Sequence, residues 1–76
     1  MIMKNLGEVK YPAGETVWIR YLNKKGETLF ILTSKPQRDK YNLYELKDGV
    51  FVKLGMAKEP PELTEKFHVY ERMGYV

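Results

Sequence analysis

The chain contains no cysteine. Disulfides, thiolate catalysis and cysteine-based zinc sites are therefore excluded. No apolar run approaches the roughly 20 residues needed to span a bilayer. Met1-Ile2-Met3-Lys4-Asn5 also lacks the long apolar core of a signal peptide. These absences lead us to expect a cytoplasmic protein that does not engage a membrane.

Reactive groups are equally scarce. The six glycines are scattered, and none forms a dinucleotide-binding or P-loop pattern. The lone histidine, His68, follows Glu65 by three residues, half of a di-iron helix motif. Such sites need a second copy and further carboxylates, so no metal is expected. No second histidine is available as a base for Ser34 or the threonines. The pairs Glu59/Glu62 and Glu62/Glu65 stand on a solvated helix start, with nothing to raise their pKa values. We expect no enzyme activity and no cofactor.

What is present is strand-forming. Thr16–Leu22 and Ser34 back to Thr28 are rich in β-branched and aromatic residues and flank Asn23-Lys24-Lys25-Gly26-Glu27. That pattern predicts a hairpin through a type I turn, with Gly26 at positive φ and Asn23 facing Glu27. Register then pairs Tyr21 with Leu29, Ile19 with Ile31 and Val17 with Thr33 on one face. The other face receives Leu22/Thr28, Arg20/Phe30 and Trp18/Leu32.

Residues 1–14 form an N-terminal arm, with a short edge strand expected at Val9–Tyr11 and a turn at Tyr11–Glu15. Lys35–Lys40 is polar and predicts an exposed loop. Tyr41–Lys47 alternates again, and Lys47-Asp48-Gly49 marks a second hairpin turn. With the same bulged geometry, Leu46 faces Val50 and Tyr44 faces Val52, leaving Glu45, Phe51 and Lys53 on the opposite side. Glu59-Pro60-Pro61-Glu62 then starts a helix. Leu63, Phe67 and Tyr70 share one stripe of it, and Gly74 suits its end. We expect that stripe on the sheet face holding Ile19, Ile31, Tyr44 and Val52. The alternative is a fifth strand at residues 67–72 that closes a small SH3-like barrel.

The whole is therefore an α+β, mainly β chain: one small domain of 76 residues. It comprises an arm (1–14), a four-stranded antiparallel meander of two hairpins (15–55) and one C-terminal helix (60–73). A three-stranded sheet with a C-terminal helix is similar in architecture to the arm-binding domains of phage and transposon integrases. The fourth strand departs from that pattern, and no residue carries across.

Charge is uneven. Residues 1–40 hold eight Lys/Arg against four Asp/Glu, and residues 41–76 hold five against six. The excess comprises Arg20, Lys24, Lys25, Lys35, Arg38 and Lys40, and the nearest large aromatics are Trp18 and Phe30. Aromatics beside cations on a sheet can stack bases and hold phosphates. Those eight residues are the candidate site for DNA or RNA. Two other arrangements fit the same residues: Trp18 and Phe30 as core, with Arg20 reaching out to water, or an apolar face that docks another protein or a second copy of this chain.

Overall fold

In the computed structural model, which describes residues 10–73, the alternating segments form four strands. They are β1 (Thr16–Leu22), β2 (Thr28–Ser34), β3 (Tyr41–Lys47) and β4 (Val50–Ala57). They pair antiparallel in the order β1-β2-β3-β4 as one open sheet. Two short helices follow, α1 (Pro60–Lys66) and α2 (Val69–Arg72). The meander is as expected. The barrel is not formed, because residues 67–72 hold a turn and a helix instead of a strand. The reading for Val9 and Gly74 lies outside the described residues, and Lys10 and Tyr11 are not in a strand.

The first turn has the expected chemistry. Gly26 has φ +86°, its N–H donates to the Asn23 carbonyl at 3.0 Å, and Asn23 N–H donates to the Glu27 carbonyl at 2.9 Å. The pairing beyond it differs from expectation. Thr16/Ser34, Val17/Thr33 and Leu22/Thr28 stand opposite each other, but between them Ile19 faces Leu32, Arg20 faces Ile31 and Tyr21 faces Phe30. One bulge at Trp18 and another at Leu29 shift the middle of the ladder by one residue and then shift it back. The physical gain is clear. Tyr21 and Ile19 join Phe30 and Leu32 on one face, and Arg20 leaves that face.

The second turn also departs from expectation. Asp48 and Gly49 both have positive φ, 52° and 81°, the two-residue geometry that Asp-Gly favours. Lys47 therefore pairs with Val50, Leu46 with Phe51 and Glu45 with Val52. Phe51 shares a face with Leu46 and Tyr44, while Val50 and Val52 fall on the other.

The helices cover the face of Tyr21, Phe30, Leu32 and Leu43, where Leu63, Val69 and Met73 complete the buried cluster. Full burial of each such side chain contributes about 1.5–3 kcal/mol. This corrects the expected helix packing. Ile31 and Tyr44 lie on the opposite face, and Tyr70 is 55% exposed, meeting Tyr21 edge-on at 5.8 Å. The cause is a break: His68 adopts a left-handed conformation (φ 52°, ψ 47°), so one continuous helix is impossible. The phase resets there, and Val69 and Met73 take the inward positions. Arg72 closes the lid, with its guanidinium 5.2 Å from the Phe30 ring and ion-paired to Glu45.

Residues 10–15 reach the other face. Tyr11 stacks on Phe51 at 5.2 Å, and Gly14 (φ 73°) turns the chain toward β1. The Glu15 carboxylate then accepts hydrogen bonds from Thr33 Oγ1, Asn42 Nδ2 (3.2 Å) and the Tyr44 hydroxyl (2.8 Å). Thr33, Asn42 and Tyr44 are all buried, so Glu15 satisfies groups that are costly to leave unpaired.

Gly55 and Glu15 each generate an expected outcome. A Cβ on Gly55 would stand 3.0 Å from two carbons of the Phe67 ring. Gly55→Val should therefore cost about 1–3 kcal/mol. In a Phe67→Ala background the same change should turn neutral or stabilising, because valine suits a strand. Denaturant midpoints of the four proteins check the sign reversal.

Partial burial would push the Glu15 carboxyl up, but hydrogen bonds from Thr33, Tyr44 and Asn42, with the charge of Lys35, outweigh it and hold it below 4.5. Burial, and then Glu15 itself, push the Tyr44 hydroxyl up to about 12. A lowered acid in the folded state gives stability that is present above 4.5 and lost as pH falls through the folded value. A raised phenol gives stability that is present below 10.0 and lost as pH climbs toward 12. Glu15→Gln should be less stable at neutral pH and show a shallower acid limb in urea titrations. An acid limb unchanged from the parent protein would remove this role for Glu15.

Candidate nucleic-acid interface

Trp18 is the extra residue of the β1 bulge, and 59% of its surface is exposed. Its position is not loose. The indole Nε1–H donates to Ser34 Oγ at 2.8 Å. Ser34 closes β2 between Thr16 and Tyr41, in the same alternating set as Leu32 and Phe30. The ring is therefore pinned on the helix side of the sheet, at the end where β2 leaves for the loop.

That loop is tighter than its polarity suggests. Arg38 N–H donates to the Lys35 carbonyl at 3.1 Å, and Pro36 sits at the second position of the turn, where its fixed φ is favourable. β4 ends opposite Tyr41, so Lys58 and Glu59 arrive beside the loop on their way to α1. The result is a groove of about 310 Å³ lined by Ser34, Tyr41, Arg38, Lys40, Lys58, Asp39 and Glu59. Ser34 belongs both to this groove and to the hydrogen bond that holds Trp18. The indole is thus one hydrogen bond away from the groove's lining.

The eight candidate residues are not brought to one place. Arg38 and Lys40 line the groove, and Trp18 is joined to it through its hydrogen bond to Ser34. Lys35 begins the turn, but its charge acts on Glu15. Lys24 and Lys25 are at the opposite end of β1, roughly 20 Å away along a seven-residue strand. Arg20 is exposed on the arm side, facing Ile31. It lines a separate cavity of about 550 Å³ with Tyr11, Phe51, Glu27 and Asp48, where carboxylates outnumber cations. Phe30 is 1% exposed beneath Arg72, so the expectation that it offers a binding surface is corrected. The reason is that the helices cover the Phe30 and Leu32 side of the sheet, where the bulges bring Tyr21 in place of Arg20.

Sequence reasoning overlooked Lys58, Tyr41 and Ser34 as groove residues. Only the register of β4, whose last residue Ala57 pairs with Tyr41 at the start of β3, places Lys58 at the loop. His68 pairs with Glu71 at 3.4 Å on an exposed surface. Among the described residues, no three His, Cys, Asp or Glu side chains are grouped to hold a metal ion. Nor is any described helix long and apolar enough to cross a membrane.

The pinned, uncovered indole has a direct optical consequence. Trp18 emission should be that of a solvent-exposed indole and be quenched readily by acrylamide. Ser34→Ala should lower its anisotropy while leaving the unfolding midpoint within about 0.5 kcal/mol of the parent, as for other surface changes. A blue-shifted, quencher-resistant emission would contradict this placement.

Comparison of the chain with protein families, with curated proteins and with solved structures finds no match in any of the three.

Proposed function

We propose that this chain is a small, non-catalytic, cytoplasmic protein that binds nucleic acid at the loop end of its sheet. One observation carries the reading: an exposed indole is hydrogen-bonded to Ser34, which lines a groove furnished with Arg38, Lys40 and Lys58. Cations hold phosphates without regard to sequence, and an adjacent π-face adds contact to a base. Lys24 and Lys25 play no part in this arrangement.

A second reading has its own observation. Trp18 and Ile19 of β1 are exposed, as is Tyr70, which meets Tyr21 of the same strand, and exposed apolar side chains suit contact with another protein or a second copy of the chain.

The experiment is a titration of labelled oligonucleotides at low salt. Lys40→Glu with Lys58→Glu should weaken binding at least tenfold, while Lys24→Glu with Lys25→Glu should change it less than threefold. Affinity should fall as salt rises, because each phosphate contact releases counterions. Dissociation constants weaker than about 1 mM would sink the proposal, since even non-specific binders reach roughly 10⁻⁴ M at physiological salt. Concentration-dependent sedimentation abolished by Trp18→Ala would then favour the second reading.

A further inference from the structure

We infer that the Trp18 groove takes single-stranded nucleic acid, one base stacking on the indole while Arg38, Lys40 and Lys58 hold the adjoining phosphates. The inference rests on the nucleic-acid reading and narrows it.

Stacking needs a base with an open face. Within a duplex both faces of each base are covered by neighbours, so an aromatic side chain reaches them only where bases are unpaired or splayed. Trp18 offers such a platform in advance. Its Nε1–H bond to Ser34 fixes the ring, yet most of its surface stays open. Little side-chain freedom remains to be lost on binding.

The groove's size and charge agree. At about 310 Å³ it sits at the low end of pockets for small ligands, roughly 300–1,000 Å³, which suits a nucleotide unit and not a helical surface. Its three cations stand with Asp39 and Glu59, so the lining carries a net charge of 3 − 2 = +1. That balance favours one or two phosphates over a long polyanionic track. A duplex laid along the sheet would need Lys24 and Lys25 as its second anchor, at the far end of β1.

The salt dependence follows. With one or two phosphates neutralised, the slope of log affinity against log salt on single strands should be about −0.7 to −1.4. A duplex track of six to ten contacts would give a far steeper line, near −5 or beyond.

The test uses the full chain with a labelled eight-nucleotide single strand of mixed sequence and a hairpin duplex containing the same sequence. Single-strand binding should be at least tenfold tighter and should quench Trp18 fluorescence. Trp18→Ala should weaken it roughly 5- to 150-fold, the range expected of one stacked base, and leave duplex binding unchanged. Trp18→Phe should recover part of the loss, and Ser34→Ala, which frees the ring, should weaken binding a few-fold. Thermal midpoints near the parent's confirm that each variant is folded. Equal binding of both forms, weakened by Lys40→Glu with Lys58→Glu but indifferent to Trp18→Ala, would overturn the single-strand inference and leave the nucleic-acid reading standing. Failure of both forms to bind would end both.

Discussion

A guanidinium cannot be laid beneath a helix without a partner, because taking a charge out of water costs several kcal/mol. Much of this fold follows from that constraint on Arg20. A regular hairpin would set Arg20 beside Phe30, on the face that α1 and α2 must cover. The two bulges remove it: Arg20 turns to the arm side, and Tyr21 takes its place against Phe30. A single cation does sit over Phe30, but it is Arg72, which arrives with Glu45 as its counter-charge and keeps part of its surface in water. β2 is thereby buried on both faces from Phe30 to Thr33, with the helices on one side and the arm on the other.

The candidate site is a by-product of the same adjustment. An unbulged β1 would hold Trp18 opposite Leu32, under the margin of the core. As the extra residue it has no partner across the ladder, and its ring turns to Ser34. The groove beside it forms where the end of β2, the start of β3 and the end of β4 stand level, which brings Lys58 to the Lys35–Lys40 turn. The loop supplies charge, while the sheet supplies the rigid indole.

Much of the scaffold was legible in residue types. Gly26 in its polar turn, the alternation in all four strands and the prolines at Pro60-Pro61 each have a local cause, and each is found where that cause placed it. Other features have no local signature. The bulges at Trp18 and Leu29 cancel, so the register read from the turn holds at both ends of the hairpin and fails only between them. His68 is neither glycine nor asparagine, and its left-handed conformation follows from the demand that Val69 and Met73 enter the core. The Glu15 network joins residues 18 to 29 positions apart in sequence, which no periodicity reveals. Asp48-Gly49 was legible but misapplied: the pair favours a two-residue turn, and a bulged one shifts every partner along β4.

The two margins of the sheet have something in common. Among the described residues, β1 is interrupted at Trp18, and β4 is interrupted at Leu54, between Lys53 and Gly55. Both strands with an unpaired side are thus kinked, whereas β2 and β3 pair with each other without a break. A foreign strand seeking to extend the sheet finds no flat run longer than Val50–Lys53 on β4, and that run ends on a lysine. Self-templating assemblies grow from straight segments of about six or seven residues. An open sheet this rich in β-branched and aromatic side chains would otherwise be a nucleus for fibres, and its two irregular borders make it a poor template for its own copies.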